Sequence, residues 1–309
     1  MPAFDLQLNG YKGVDFNGDD LSAAALRRAC EAVRADGGGR MLATVITDRL
    51  DRMVARIARL AALHAADPLV ADVMAGIHVE GPFISPERGY VGAHPPEHVL
   101  PASPAAAELL VAAGRGLVRL VTLAPEHDDG QATIRWLFAR GILVSAGHCD
   151  VSADILERAI DAGLAAFTHL GNGCPLALHR HDNVIQRVLA ADRLRWVMLI
   201  PDAVHLPPSL VRTIIRAVGI DRVIAVTDAT AAGGMGAGRF TLAGQEVVVD
   251  AEGAAWAADR SHLVGSTASM ARICQVLRER VGLSEADVAR VVSTNPASAL
   301  DAAAAARRD

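Results

Sequence analysis

Residues 143–173 read LVSAGHCDVSADILERAIDAGLAAFTHLGNG. An apolar run ends at Gly147-His148, a helical pattern follows over 152–163, and a second apolar run ends at His169. In a strand–helix–strand unit the two strands are parallel, so their carboxyl ends lie at the same edge of the sheet. The stretch therefore predicts two imidazoles side by side at the edge where α/β proteins carry out their chemistry.

The same alternation of short apolar runs and helical patterns continues along the chain. Candidate strands cover 4–8, 41–46, 73–79, 117–123, 142–146, 165–168, 196–200 and 223–227. Candidate helices lie near 21–36, 49–66, 103–114, 131–140, 152–163, 183–192, 208–218, 266–281 and 285–293. Eight strands, each followed by a helix, predict an α/β fold of the (β/α)8 TIM-barrel type. The alternative is an open doubly wound sheet, but residues 10–13 after the first strand lack the G-x-G-x-x-G phosphate loop.

One segment departs from the barrel pattern. Residues 239–250, RFTLAGQEVVVD, alternate apolar and polar side chains around Ala243-Gly244. This pattern predicts a small β-hairpin that projects as an insertion after the eighth strand. We expect a single barrel domain over residues 1–300 and a frayed tail over 301–309.

The composition excludes several classes of protein. Of the 309 residues 51% are hydrophobic, yet no apolar run reaches the about 20 residues of a membrane span, and no secretory start is present. A formal net charge of −5 and scattered arginines argue against nucleic-acid binding. The four cysteines contain no Cys-x-x-Cys pair, which indicates a reducing cytoplasmic location and argues against a thiolate zinc site. They are Cys30, Cys149, Cys174 and Cys274.

Metal-capable side chains accumulate at the carboxyl ends of the predicted strands. Glu80 ends the third strand, His148 and His169 follow the fifth and sixth, and Asp228 follows the eighth. One carboxylate and two imidazoles make a catalytic type of zinc site, in which a coordination position is left for water. Asp228 would then be the general base that takes the proton of the water and later returns it to the leaving group.

Each of these residues also has a purely structural interpretation. Glu80 could cap a turn, a single buried histidine could be a hydrogen-bonded core residue, and Asp228 could cap the following segment. Their joint placement on neighbouring strand ends favours the site. Further polar residues at the same ends are Gln7, Asn9, His78, Asn172, Asp202 and His205. His78 could reach the rim or support the site from the layer below. Histidines expected to be solvated are His64, His98, His127, His179, His181 and His262.

Ten motifs carry a resemblance to a known family across nearly the whole chain. They are FDLQLNG (4–10), HVEGPFISPERGYVGAH (78–94), VTLAPE (121–126), VSAGH (144–148), THLGNG (168–173), PDAVH (201–205), VTDAT (226–230), FTLAGQEV (240–247), VGSTASM (264–270) and STNPASAL (293–300). In their order, spacing and register, the chain resembles the N-acetylglucosamine-6-phosphate deacetylases of the amidohydrolase superfamily.

The resemblance implies an activity and a set of site residues. It implies metal-dependent hydrolysis of N-acetylglucosamine 6-phosphate to glucosamine 6-phosphate and acetate. It implies that Glu80, His148 and His169 hold the metal, that Asp228 is the catalytic acid/base, and that His94 polarises the acetyl carbonyl. The sugar and phosphate pocket would be lined by Ala93, Asn172, Gly173, Arg180, His205, Val264, Gly265 and Ser266. In the family the counterpart of Arg180 contacts the phosphate and belongs to a dimer, so a homodimer is expected, and a guanidinium fork suits a phosphate.

Two departures from the family pattern bear on substrate and architecture. Family members carry a small β-sandwich domain built from segments that flank the barrel. This chain begins within the first barrel strand and stops soon after residues 293–300, so we expect it to lack most of that domain. In the pocket, Arg180 to Asn183 replaces the usual Arg-Glu-Pro-Gly, and Asn172-Gly173-Cys174 replaces Asn-Ala-Met.

The pocket changes leave alternative substrates open. One alternative is an unphosphorylated N-acyl amino sugar or cyclitol, and another is N-acetylgalactosamine 6-phosphate. A catalytically silent sugar-binding protein is a third interpretation, from a different functional class.

The sequence favours one metal ion. Many barrel amidohydrolases hold two, with a His-x-His pair on the first strand and a carboxylated lysine on the fourth. Here residues 7–9 are Gln-Leu-Asn, and the only lysine of the chain is Lys12. We therefore expect one divalent ion, with Zn²⁺ as the first choice and Fe²⁺, Mn²⁺ or Co²⁺ compatible with the same ligands.

Overall fold

A computed structural model describes residues 2–307. Eight parallel strands form one sheet, in which each strand pairs with the next one along the chain. They are β1 (Ala3–Leu8), β2 (Gly38–Ile46), β3 (Met74–Glu80), β4 (Val118–Leu123), β5 (Leu143–Ala146), β6 (Ala166–Phe167), β7 (Trp196–Leu199) and β8 (Val223–Ala225). The predicted strands are confirmed, and their predicted ends differ from the observed ones by no more than three residues.

The sheet closes between its last and first strands. Just beyond β8, Ala229 forms a parallel bridge with Leu8, and the Asp228 backbone N–H donates to the Gln7 carbonyl at 2.9 Å. Closing a sheet removes its unpaired edges and gathers the carboxyl ends of all strands on one rim. The structure therefore confirms the predicted barrel and places the ends of β1 and β8 next to each other.

Helices cover the outside of the barrel. They are α1 (Ala23–Ala35), α2 (Leu50–Ala66), α3 (Pro68–Val73), α4 (Pro104–Ala113), α5 (Ala132–Phe138), α6 (Ala153–Ala162), α7 (Val184–Ala190), α8 (Pro208–Val218), α9 (Met270–Val276), α10 (Glu285–Ala289) and α11 (Asn295–Ala305). The helix of the opening stretch, α6, begins where Ser152 Oγ accepts from the Ile155 N–H at 3.3 Å and ends at Gly163, whose φ is 114°. Across residues 2–307, none of the helices is both long and apolar enough to cross a membrane.

The end of the chain differs from the expected tail. Helix α11 continues to Ala305, and residues 308–309 lie outside the described part of the chain. Gly141, just before β5, lies against Ala303 and Ala304 of this helix, so α11 closes the amino-terminal end of the barrel. No helix was predicted over 295–305: alanines favour a helix but do not indicate what it packs against, so the packing of α11 against the barrel could not be seen.

The interior of the barrel is apolar. One buried cluster joins side chains from the strands with two from α11: Phe4, Leu6, Leu42, Leu120, Leu143, Ala166, Trp196, Met198, Ile200, Ile224, Val226, Ala299 and Leu300. A packed interior of this kind supports the rim from below and leaves chemistry to the carboxyl-terminal end.

The insertion after β8 forms a three-stranded sheet. The predicted hairpin is confirmed as β9 (Gly238–Leu242) and β10 (Gln245–Val249), which pair in antiparallel register around Ala243-Gly244. A third strand, β11 (Ala255–Ala257), was not predicted. Besides these two sheets, residues 2–307 contain one two-stranded pair, so the expected lack of a β-sandwich domain holds for the described part of the chain.

The expectation that the hairpin projects from the barrel is wrong. Its apolar side chains share a small core with Ile46 and Ala232 of the barrel rim. The Gln245 amide donates to the Ala93 carbonyl at 3.0 Å, and the Ala243 N–H donates to Asp15 Oδ2 at 2.7 Å. The insertion therefore lies over the rim as a wall, because its alternating pattern provides one apolar face that must be buried.

The seam between β8 and β1 contains a buried carboxyl group with a testable pH dependence. Asp5 accepts hydrogen bonds from the Thr227 hydroxyl at 2.5 Å and the Thr227 N–H at 3.1 Å. Burial raises the pKa of Asp5 from 3.8 to about 6, although these hydrogen bonds oppose the rise. A pKa raised on folding means that the contribution of Asp5 to stability is fully present below 3.8 and is lost as the pH rises through about 6.

Asp5→Asn should therefore gain stability over the unchanged protein as the pH rises. The difference in unfolding free energy should increase by up to about 3 kcal/mol between pH 4 and pH 7.5, because each pKa unit corresponds to about 1.4 kcal/mol. Denaturant titrations at several pH values measure it, with the exposed Asp192→Asn as the control. A difference that does not change with pH would show that Asp5 titrates normally.

Candidate active site

Four polar side chains meet on the rim of the barrel. Glu80 is the last residue of β3, and His148, His169 and Asp228 follow β5, β6 and β8. The last three have left-handed backbones, with φ of 52°, 33° and 50°. For residues other than glycine this conformation costs roughly 1–3 kcal/mol, and such outliers cluster at functional sites. The kink after each strand turns the side chain across the rim rather than along the strand.

Glu80, His148 and His169 form a group that could hold a metal ion. Their ligand atoms lie within 4.8 Å of one another, and all three residues are buried. Glu80 Oε1 lies 3.2 Å from His148 Nε2 and 2.9 Å from His169 Nε2. The three residues predicted from the sequence are thus brought together in space.

The donor set fits a divalent cation. His148 Nδ1 donates to the Tyr90 carbonyl at 2.7 Å, which leaves the lone pair of Nε2 facing the Glu80 carboxylate in the neutral ring. Two acceptors at this distance require a positive charge between them. Burial alone would raise the pKa of Glu80, but the close contacts with the His148 and His169 imidazoles hold it well below its usual range. Glu80 is therefore an anionic donor, and the nitrogen and oxygen donors of the three residues suit Zn²⁺ and similar ions.

Asp228 lies beside this group and is held by two amides. Asn9 Nδ2 donates to Asp228 Oδ1 at 2.7 Å, and Gln7 Nε2 donates to the same oxygen at 3.1 Å. Gln7 Nε2 also donates to Glu80 Oε1 at 2.9 Å, so one amide links the two carboxylates. Burial, with a smaller effect from the negative charge of Glu80, raises the pKa of Asp228 to about 7. A carboxyl group with a pKa near the working pH suits acid–base chemistry.

Gln7 reaches the site because β1 is irregular. The pairing of β1 with β2 shifts register between Asp5 and Leu8. Leu6 packs inside the barrel and Leu8 packs in the outer core, so the shift lets Gln7 turn its amide over the rim. Bulges often re-aim a side chain in this way.

His94 faces Glu80 from the loop after β3. Its Nδ1 accepts from the Thr47 backbone N–H at 3.3 Å and lies 2.8 Å from the Thr47 hydroxyl. Because Nδ1 is an acceptor, the proton of the neutral ring is on Nε2, which lies 3.7 Å from Glu80 Oε2. Burial, together with the neighbouring His148, lowers the pKa of His94 to about 3, so the ring is neutral. A neutral His94 can donate one hydrogen bond into the cavity.

A cavity of about 290 Å³ opens above these residues. Five of the residues predicted for the substrate pocket line it: Ala93, Asn172, Gly173, His205 and Gly265. Val264 and Ser266 are buried behind Gly265, where Ser266 Oγ donates to the Thr227 carbonyl at 2.5 Å. Arg180 is exposed on the 174–182 loop and does not line the cavity of its own chain, so its role stays a prediction.

His205 is oriented by a buried carboxylate. Asp202 Oδ1 accepts from the backbone N–H groups of Val204 and His205, at 2.9 and 2.8 Å. Its other oxygen lies 2.7 Å from His205 Nδ1, and both side chains are about 5% exposed. The imidazole is therefore held in one orientation with Nε2 toward the cavity.

His78 supports the site from below and does not reach the rim. It is fully buried, its Nε2 lies 2.8 Å from the Thr122 hydroxyl, and that hydroxyl lies 2.8 Å from the Thr168 hydroxyl. Burial lowers the pKa of His78 to about 4, so the ring is neutral. A layer of neutral hydrogen-bonded side chains thus separates the apolar interior from the charged rim.

Several cavity-lining residues were missed or misplaced by sequence reasoning. His262 was expected to be solvated, but it lines the cavity together with Ser261 and Leu263. The hairpin residue Leu242 and the loop residue Leu176 also line it. The missed residues sit on the insertion and on a long loop, whose positions over the rim no strand register predicts. The signal that could have located His262 is its place two residues before Val264, in the same motif region.

No protein-family model matches the sequence. The chain is 35% identical over 309 residues to an N-acetylglucosamine-6-phosphate deacetylase of Bos taurus, covering 97% of this chain and 74% of that protein. It is 31% identical to an N-acetylgalactosamine-6-phosphate deacetylase of Escherichia coli O157:H7, covering 97% of this chain and 77% of that protein. A solved structure of a mutant N-acetyl-D-glucosamine-6-phosphate deacetylase from Mycobacterium smegmatis, in complex with N-acetyl-D-glucosamine-6-phosphate, matches with a TM-score of 0.87 and 32% identity, over 97% of this chain and 77% of that one.

Removing a member of the triad Glu80, His148 and His169 should abolish tight cation binding. Glu80→Gln and His169→Ala should each weaken Zn²⁺ binding by at least about 100-fold, since even loss of an outer-shell partner costs about 10–100-fold. Competition between the metal-stripped protein and a chromophoric chelator measures the affinity. His64→Ala, on helix α2 away from the rim, is the matched control. Unchanged affinity in both triad variants would place the cation elsewhere.

Proposed function

The chain belongs to the N-acetylglucosamine-6-phosphate deacetylase family, and on that premise we propose that it hydrolyses the N-acetyl group of an amino sugar phosphate. The reaction adds water across the amide bond and yields acetate and the free amine. The observation that carries the proposal is the meeting of Glu80, His148 and His169 with Asp228 at the floor of one cavity. A catalytically silent protein would have no need for four strained or charged residues in this arrangement.

The triad holds one divalent ion in this proposal. When bound, such an ion supplies Lewis-acid polarisation of the acetyl carbonyl and lowers the pKa of water from about 15.7 toward about 7. Zn²⁺ is the first choice for two imidazoles and a carboxylate, and Fe²⁺, Mn²⁺ and Co²⁺ accept the same donors. A lysine-bridged pair of ions has no support, because Lys12 donates to the Gly234 carbonyl and pairs with Asp36 outside the cavity.

Asp228 moves the proton. Its carboxylate takes a proton from the attacking water, and the same carboxyl group then delivers the proton to the nitrogen of the breaking amide bond. The amides of Gln7 and Asn9 keep Oδ1 in place, and Oδ2 is left for the proton. Asp228 can therefore act first as base and then as acid without changing position.

His94 orients and polarises the acetyl group. Its Nε2–H is the only proton that the neutral ring can donate, because Nδ1 accepts from Thr47. A donor fixed in a buried position stabilises the negative charge that develops on the carbonyl oxygen. Ala93, Asn172, Gly173, His205 and Gly265 then form the walls around the sugar.

Phosphate recognition needs a positive charge from outside the cavity. Among the described residues that line the cavity, none is arginine or lysine. Arg180 lies on the exposed 174–182 loop, together with Leu176, which is 78% exposed, and Leu178. A homodimer in which this apolar loop packs against a second copy, and in which Arg180 serves the partner's phosphate, accounts for both features. The free thiols of all four cysteines agree with a cytoplasmic location.

The sugar is N-acetylglucosamine 6-phosphate in this proposal, because that substrate is the one named for the relative with 35% identity. N-acetylgalactosamine 6-phosphate is the second candidate, and the E. coli relative favours it. Acetate release from the two compounds, compared under the same conditions, distinguishes them.

Asp228→Asn should remove activity without removing the cation. We expect kcat for acetate release from N-acetylglucosamine 6-phosphate to fall by about 10²–10⁴-fold, the usual contribution of a general acid–base residue. Metal content, measured on the same preparation, should be unchanged because Asp228 is not part of the triad. Asp161→Asn, exposed on helix α6, serves as the control. Full activity in Asp228→Asn would contradict the proposed role of this residue.

A further inference from the structure

The loop that follows β11 presents one histidine to the cavity on a fixed backbone. The Ala257 N–H donates to the His262 carbonyl at 3.0 Å, and the Arg260 N–H donates to the Ala257 carbonyl at 2.8 Å. Trp256 and Leu263 form an antiparallel bridge across the base of this reversal. His262 is therefore part of a closed hairpin turn rather than of a loose loop.

A chain of hydrogen bonds sets the tautomer of His262. The Ser261 hydroxyl donates to Asp259 Oδ1 at 2.7 Å, and the Ser261 N–H donates to the same oxygen at 3.0 Å. Ser261 Oγ lies 2.9 Å from His262 Nδ1. Because serine has one hydroxyl proton and gives it to the carboxylate, Ser261 Oγ accepts from the Nδ1–H of His262. In the neutral ring, Nε2 is then an acceptor.

His262 lines the cavity next to Ser261, which is exposed to solvent. Gly265, three residues further on, lies against Asp228 at the floor, since a Cβ on Gly265 would come within 2.7 Å of the Asp228 carbonyl oxygen. Three residue steps span at most about 10 Å, and the left-handed backbone of Gly265 (φ 56°) shortens this, so His262 lies within roughly the length of a substituted sugar ring from Gly265. A substrate with its acetamide at Asp228 therefore extends toward His262, which also lines the cavity.

We propose that His262 Nε2 accepts a hydrogen bond from a ring hydroxyl of the amino sugar, and that this contact selects among sugars that differ at that hydroxyl. The inference rests on the proposed function for the identity of the ligand. A hydroxyl group is the fitting partner because it donates a proton, whereas a phosphate dianion offers acceptors only. His262 is thus a specificity-determining residue, and Ser261 and Asp259 are its positioning residues.

The test measures binding, so that it does not depend on turnover. Calorimetry in the Asp228→Asn background, with the metal-loaded protein, gives Kd for N-acetylglucosamine 6-phosphate and its 3-deoxy and 4-deoxy analogues. It also gives Kd for N-acetylgalactosamine 6-phosphate and unphosphorylated N-acetylglucosamine. The variants are His262→Ala, His262→Gln and Ser261→Ala, with His64→Ala as the matched control.

His262→Ala should weaken binding of N-acetylglucosamine 6-phosphate by about 3- to 10-fold, the usual effect of losing one hydrogen bond. For the analogue that lacks the contacted hydroxyl, the same variant should have no effect. In His262→Gln, the side chain offers an acceptor oxygen near the position of Nε2 and should restore part of the lost affinity. Ser261→Ala should lose less affinity than His262→Ala.

The assignment would be overturned if His262→Ala weakened the binding of every ligand equally, or weakened the binding of none. If His262→Ala weakens binding of every phosphorylated sugar but not of unphosphorylated N-acetylglucosamine, His262 is a phosphate contact and the assignment is overturned. Failure of all these sugars to bind would also overturn it. Acetate release by the unchanged protein is a separate arm. If the unchanged protein releases no acetate but the Kd values follow the expected pattern, the proposed function is refuted and the role of His262 is supported.

Discussion

The amide of Gln7 lies between two buried carboxylates, and the geometry of the rim depends on that position. It donates to Glu80 at 2.9 Å and to Asp228 at 3.1 Å, and thereby holds two negative groups near each other without a charge of its own. Two like charges in a buried setting repel strongly, so at least one must be neutralised by a proton or a cation. The imidazoles of His148 and His169 lie on the other side of Glu80, where they could hold such a cation. The proposed division of roles, in which Glu80 binds the cation and Asp228 moves a proton, agrees with this constraint.

These groups lie close together because the barrel closes between β8 and β1. The bridge between Leu8 and Ala229 places the end of β1, which carries Gln7 and Asn9, beside Asp228. The backbone of Asp228 is fixed on both sides, since its N–H donates to Gln7 and its carbonyl accepts from the Ser266 N–H at 2.8 Å. Strand ends thus position the chemistry, whereas the insertion β9–β11 and the 174–182 loop wall the cavity. In the proposed function, substrate selection therefore falls to these outer segments.

Sequence reasoning succeeded where a residue is placed by strand register. The eight strands, and the placement of Glu80, His148, His169 and Asp228 at their carboxyl ends, follow from apolar runs that must share one rim. It failed where position depends on tertiary packing. The β1 irregularity that aims Gln7 has no local signature, and the left-handed backbones of His148 and His169 are uncommon for any residue other than glycine. His262 was assigned to solvent because nothing in an alternating hairpin pattern tells which way the insertion folds back. Helix α11 was missed because residues 293–300 read as a motif and the alanines after it as a tail.

Reconstitution of the metal-stripped protein tests the central claim most directly. Zn²⁺ is added in sub-stoichiometric steps while acetate release from N-acetylglucosamine 6-phosphate is followed. A single ion on Glu80, His148 and His169 predicts that activity rises in proportion to added Zn²⁺ and reaches a plateau at one equivalent per chain. Activity that needs two equivalents, or that is complete before any ion is added, would contradict the account.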